Sequence, residues 1–218
     1  MGRPHRNFVP GKPVHVTQRG NNRQIVFRCE ADCRYLWRCL REASDQHSVD
    51  VNAYVFMPNH IHLLLTPGEL GGIARFMHAA TRRYAGYFNK RYERTGTLWE
   101  GRYRPSRVNT DRYFLNCHRY IDLNPVRSMM AAHPEDYAWS SYRFYALGES
   151  NSLVRAHDAM LSVDDDPAKR QSFYRALFAK PLEDDDLKVI RACTQAGRDM
   201  GDPPRRGRPR KINLAPFF

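Results

Sequence analysis

The stretch VDVNAYVFMPNHIHLLLT, residues 49–66, decides the fold. Its two halves, VDVNAYVFM (49–57) and HIHLLLT (60–66), are rich in β-branched, aromatic and aliphatic residues and read as strands. Only Pro58 and Asn59 separate them, and so short a break predicts an antiparallel hairpin. His60 and His62 stand at i and i+2 on the second strand. Strand side chains alternate between faces, so both imidazoles project one way while Ile61 and Leu63 project the other, into the core.

Working outward, PVHVTQR (13–19) alternates and is β-branched, a strand closed by the turn Gly20-Asn21-Asn22. Residues 30–47 carry Cys33, Leu36, Trp37, Leu40 and Ala43 at helical spacing, and residues 70–90 repeat that pattern from Ile73 to Phe88. RYRPSRVN (102–109) reads as a strand that Pro105 confines to an edge or a bulge. Asn109 or Thr110 can cap a further helix reaching about Leu123, with Asp111 in its favourable first turn. Pro125 disfavours helical geometry at Asn124. The order β-α-β-β-α-β-α predicts an α+β fold, a ferredoxin-like antiparallel sheet with helices packed on one face. The expected organisation is a domain over 1–147, a helical and acidic extension over 148–202, and a basic flexible tail over 203–218.

Composition narrows the function. The 218 residues are 42% apolar, a globular value, and no apolar run approaches the roughly 20 residues of a membrane span. The N-terminus lacks an apolar signal region, so the expected location is the cytoplasm. Five scattered cysteines make a disulfide framework unexpected. Residues 1–130 hold 21 basic and 10 acidic residues, residues 131–202 hold 9 and 13, and residues 203–218 hold 5 and none. Basic charge concentrated in this way suggests a polyanionic partner, nucleic acid above all.

Two neutral imidazoles side by side suit a divalent metal ion. The plain alternative is a polar strand face that happens to hold two histidines. A histidine-triad hydrolase needs a third alternating histidine, but position 64 is Leu; a two-histidine phosphoesterase needs two separate His-X-Thr or His-X-Ser motifs, and the chain does not have two. A second cluster is TDRYFLNCHRYIDLNPVR (110–127). Tyr113 and Tyr120, seven apart, share a helix face, and Asn116 and Asn124 fall on the same side. A free phenol ionises near pH ~10 and attacks poorly without help. A metal that binds phosphate oxygen and orients the scissile bond would supply that help to either tyrosine.

Four ordered segments, MPNHIHLLL (57–65), GTLWEGRYR (96–104), RYIDLNPVR (119–127) and DYAWSSYR (136–143), resemble the single-tyrosine HUH transposases, in particular the REP-associated tyrosine transposase branch. The resemblance covers roughly residues 8–145. It implies a ferredoxin-like fold, a divalent ion (Mg²⁺ or Mn²⁺) held by His60 and His62, and Tyr120 as the nucleophile. Asn124 matches the third polar metal ligand, where some relatives carry Gln. The implied reaction is cleavage and transfer of single-stranded or hairpin DNA through a 5′-phosphotyrosine link, by a monomer or a homodimer. The alternative is a domesticated hairpin-binding protein with weak or lost catalysis.

RYERTGTLWEGRYRPSR (91–107) interleaves arginines with aromatic rings. Trp99 and Tyr103 are read as stacking platforms for unpaired bases, and Arg102 and Arg104 as phosphate contacts; the alternative for Trp99 is core packing. In the tail, Arg205, Arg206, Arg208, Arg210 and Lys211 surround a Gly-Arg-Pro unit resembling an AT-hook core, suited to an A·T-rich minor groove, with non-specific phosphate binding as the alternative.

Overall fold

The computed structural model describes residues 8–196. Four strands, β1 (Val14–Arg19), β2 (Val49–Met57), β3 (His60–Pro67) and β4 (Arg104–Arg107), form one antiparallel sheet in the order β2-β3-β1-β4. That is the ferredoxin-like order expected of the hairpin and its flanking elements. The hairpin turns at Pro58-Asn59, and its register sets Phe56 opposite Ile61 and Val55 opposite His62. Among the described residues strand β4 pairs only with β1, so Pro105 lies on an edge strand, as its missing N–H requires.

Helices α1 (Glu30–His47) and α2 (Gly72–Arg91) cover one face of the sheet. Phe27 joins Phe56 of β2 to Tyr84 of α2 through ring contacts at 5.5 and 5.6 Å, so the Phe56–Ile61 side points into this layer. The opposite face is also covered. Helix α3 (Asp111–Asp122) lies across β2 and β3, with Thr110 capping it by accepting from Tyr113 N–H at 3.3 Å. The expectation of helices on one face therefore describes only α1 and α2. The alternating strands carry a second set of buried side chains, His15 and His62 among them, and α3 closes over it.

Pro125 does not leave Asn124 extended. The chain breaks at Leu123 and restarts as a single turn, α4 (Asn124–Arg127), in which proline takes the second position, where no N–H is needed. Short helices α5 (Tyr142–Leu147) and α6 (Asp158–Leu161) follow, then α7 (Pro167–Ala176) and α8 (Asp184–Ala196). On either side of α5 the chain runs along the free edge of β2. Phe56 N–H donates to Trp139 O, Ser141 N–H to Tyr54 O and Arg155 N–H to Val51 O, which covers that edge.

The last helices are tied to α3 by polar contacts. Tyr174 of α7 donates to Asp122 Oδ2 at 2.6 Å, and Ser141 to Asp122 Oδ1 at 2.9 Å. Burial pushes the Asp122 carboxyl up to about 7, against the hydrogen bonds from Tyr174 and Ser141 that lower it. Asn116 Nδ2 donates to Asp186 Oδ2 of α8 at 2.8 Å, and Arg112 pairs with the same carboxylate at 3.1 Å. Helix α8 thereby sits beside β1 and β4 on the α3 face. No helix among the described residues is long and apolar enough to cross a membrane.

Candidate active site

Beneath α3 and α8 lies a cavity of about 220 Å³, walled by Thr17 and Arg19 of β1, His60 and His62 of β3, and Tyr120 and Asn124. The sheet register explains why the strand residues meet. Thr17 pairs with His62 and Arg19 with His60, so all four side chains share one face. Arg102, Arg104 and Glu100 line the β4 side, and α8 contributes Arg191, Thr194 and Gln195. Histidines, tyrosine and asparagine that are far apart in the chain are thus neighbours in space.

The His62 ring centroid is 5.0 Å from that of His60 and 5.6 Å from that of Tyr120, edge-on in both cases. Each histidine has its Nδ1 engaged. Asn59 Nδ2 donates to Arg23 O at 3.2 Å, which turns its Oδ1 toward His60 Nδ1 at 2.6 Å. An oxygen acceptor there makes His60 Nδ1 the donor and leaves the Nε2 lone pair available. His62 Nδ1 is 2.9 Å from Nε2 of His15, a fully buried imidazole. Burial, with the Arg19 charge adding, lowers His60 to about 4; burial, then the neighbouring histidines and arginines, holds His62 well below its ordinary value. Both rings are therefore neutral at pH 7, the form that ligates metal.

The site also holds buried polar atoms without a hydrogen-bond partner among the described residues: Thr17 Oγ1, Asn124 Nδ2 and Arg127 Nη1. An amide's O and N exchange places by a half-turn, so Asn124 can present an unpartnered oxygen as readily as a nitrogen. Among the described residues no cluster of three or more His, Cys, Asp or Glu is assembled to hold a metal. The donor set is therefore two imidazoles and an amide. It fits a cation that keeps open positions for an oxygen ligand, rather than a closed structural site.

Tyr113 does not line the cavity; Tyr120 does, and the Arg127 guanidinium lies 4.3 Å from its ring centroid. Arg127 also donates to Tyr120 O, and burial lowers its pKa to about 10. Asn116, grouped with the tyrosines by helical spacing, turns instead to α8 through Asp186.

The DNA-contact candidates divide. Arg102 and Arg104 are exposed at the cavity side. Trp99 is buried: its Nε1 donates to Thr81 O at 3.0 Å and its ring packs 5.8 Å from Tyr84. Tyr103 is buried as well. Neither ring has a free face for a base, so the stacking roles expected of them are corrected to packing roles; an aromatic next to arginines reads alike in a core and at a rim. Arg205, Arg206, Arg208, Arg210 and Lys211 lie outside the described residues.

Sequence reasoning missed His15, Thr17, Arg19, Glu100, Arg127, Arg191, Thr194 and Gln195. A signal existed for His15, which alternates with Thr17 and Arg19 on one strand face. None existed for α8, whose partners are remote in sequence.

A family model described as "Transposase IS200 like" matches residues 9–124. The solved structure of a REP-associated tyrosine transposase bound to a REP hairpin is similar at a TM-score of 0.55 and 18% identity, over 72% of this chain and 92% of that one. That likeness is one of fold. A second solved structure, described as a "putative transposase" from Deinococcus radiodurans, shares 23% identity over 56% of this chain and 95% of its own, at a TM-score of 0.39. No curated protein matches.

Proposed function

The chain belongs to the IS200-like transposase family, and from that membership we propose that it is a metal-dependent single-stranded DNA endonuclease and strand transferase acting on hairpin DNA. The observation that carries this reading is the shared cavity, where a phenol, two neutral imidazoles and an unpartnered amide converge. In the proposed reaction Tyr120 Oη loses its proton and attacks phosphorus. A phosphotyrosine bond forms to the 5′ side, the P–O3′ bond breaks, and the departing 3′ oxygen takes up a proton. Attack by a second 3′ hydroxyl on the phosphotyrosine reverses these bond changes and joins the strands.

His60 and His62 through Nε2, with the Asn124 amide, would hold Mg²⁺ or Mn²⁺. Such an ion neutralises phosphate charge and orients the scissile bond. Arg127 puts positive charge over the phenol ring, where the reaction develops negative charge. Arg19, Arg102, Arg104 and Arg191 give the strand a cationic approach. The basic tail over 203–218 adds phosphate contacts, and residues 148–202 extend a catalytic domain over 1–147. The hairpin substrate is taken from the fold neighbour bound to a REP hairpin.

The test is incubation of the purified protein with hairpin DNA and Mn²⁺, followed by a denaturing gel. A covalent protein–DNA band that EDTA abolishes is the expected result. Hairpin binding without any band favours the second reading, a hairpin-binding protein of weak catalysis, to which the 9% exposure of Tyr120 points.

A further inference from the structure

His15 has no part in the reaction just described, yet it is 1% exposed and touches its centre. Its ring lies 15° from the plane of the His62 ring, with centroids 5.1 Å apart and Nε2 2.9 Å from His62 Nδ1. Near-parallel planes at that separation, with the two nitrogens in contact, describe an N–H···N bond lying in the ring planes. On its far side, His15 Nδ1 is 3.3 Å from Thr194 Oγ1 of α8.

We propose that His15 is a positioning residue for His62: it accepts the His62 Nδ1–H, fixing the tautomer and orientation that turn the His62 Nε2 lone pair into the cavity, with Thr194 holding His15 from behind. The proposal rests on the reading of His60 and His62 as metal ligands.

An N–H···N bond needs one donor and one acceptor, so two proton arrangements are open. In the first, His62 donates from Nδ1, His15 accepts on Nε2, and His15 Nδ1–H donates to Thr194 Oγ1. In the second, His15 donates and His62 carries its proton on Nε2, facing the cavity with nothing to offer a cation. Thr194 can serve either arrangement, because a hydroxyl both donates and accepts. The cavity decides between them. Arg19, Arg102, Arg104 and Arg191 line it against one carboxylate, Glu100. A lone pair directed at that cationic wall is favoured over an N–H. The first arrangement also matches His60, whose Nδ1 is committed to Asn59. Both ligands then present Nε2, each fixed from behind by a different strand end or turn.

Outer partners of this kind govern metal affinity: their loss costs about 10- to 100-fold. Two measurements on the full-length protein test the proposal. Nitrogen-15 side-chain spectra of the metal-free protein report which ring nitrogen of His62 carries the proton. Titration with Mn²⁺, followed by the resonance of the free ion, reports affinity without reference to DNA cleavage. Wild type should show His62 protonated on Nδ1. His15→Phe fills the space but accepts nothing, so His62 should become a tautomer mixture and the Mn²⁺ dissociation constant should rise about 10- to 100-fold. His15→Gln keeps an acceptor and should restore most of that affinity. Thr194→Val, at a helix away from the sheet interior, should weaken binding less than His15→Phe and keeps the test available if His15→Phe does not fold.

His62 protonated on Nε2 in the wild type would overturn the proposal. So would wild-type Mn²⁺ affinity in His15→Phe while His62→Ala loses it. Wild-type affinity in His60→Ala and His62→Ala alike would instead sink the metal reading itself, with the His62 spectrum still deciding the hydrogen bond.

Discussion

The guanidinium of Arg127 sits 4.3 Å from the centre of the Tyr120 ring and donates to the Tyr120 carbonyl, so one side chain holds both the ring and the backbone of the proposed nucleophile. It can do so because the helix restarts at Asn124, which brings residue 127 back beneath residue 120. Arg127→Ala should slow formation of the covalent adduct by roughly 10²-fold, the scale of losing one preorganised charge donor, while hairpin affinity changes little. Arg127→Lys keeps the charge but not the planar contact, and should recover only part of the rate. Single-turnover adduct kinetics measure both; an unchanged rate in Arg127→Ala refutes the role.

Tyr120→Phe removes one oxygen and little volume. The covalent band should vanish with folding and hairpin binding intact, whereas Tyr113→Phe should keep the band, because Tyr113 does not line the cavity. Survival of the band in Tyr120→Phe would place the nucleophile elsewhere.

His60→Ala and His62→Ala should each abolish cleavage and leave hairpin binding near wild type, since the cationic rim is untouched. Gel-shift and adduct assays on the same preparations separate the two effects. Cleavage at wild-type rate in both variants would exclude these residues as ligands.

Affinity for hairpin DNA should fall steeply with salt, because basic residues displace counterions. Removing residues 203–218, which hold five basic residues and no acidic ones, should flatten the log–log slope by roughly 0.7–0.9 for each phosphate that the tail neutralises. An identical slope for both chains would mean the tail makes no phosphate contact.

His118 is fully buried between Tyr145 and Tyr174, and burial, with the neighbouring His157, lowers it from 6.5 to about 3. The unfolded chain protonates first on acidification. The stability contribution is therefore complete above pH 6.5 and is lost as pH falls toward 3, by about 2 kcal/mol at pH 5. Asp122, raised to about 7 by burial, opposes it: its contribution is present at low pH and lost as pH rises through 7. Wild type should lose more thermal stability between pH 7 and pH 5 than His118→Phe. Equal losses in the two proteins would contradict the assignment.

The hairpin and the β4 edge were legible because each rests on a local rule, period-two alternation around a two-residue turn and the missing N–H of Pro105. The histidine pair was legible for the same reason: strand geometry alone puts i and i+2 on one face. Trp99 was not, because its neighbours along the chain are arginines while its contacts in space are Thr81 and Tyr84 of α2. The second helical layer was hidden too. Tyr113, Asn116 and Tyr120 read as one polar face, and only the fold shows that Asn116 meets Asp186 while Tyr120 meets the sheet.

The contact between His15 and Thr194 closes a loop of 179 residues. A contact so distant along the chain forms after the local helices and the hairpin, because loop-closure entropy must first be overcome. During synthesis the two histidines of β3 and the tyrosine of α3 leave the ribosome well before Thr194 does. A nascent chain that ends ahead of α8 thus carries every residue proposed to touch DNA phosphate or metal from the sheet and α3, but not the wall that completes their surroundings. Completion of the cavity is coupled to the synthesis of α8.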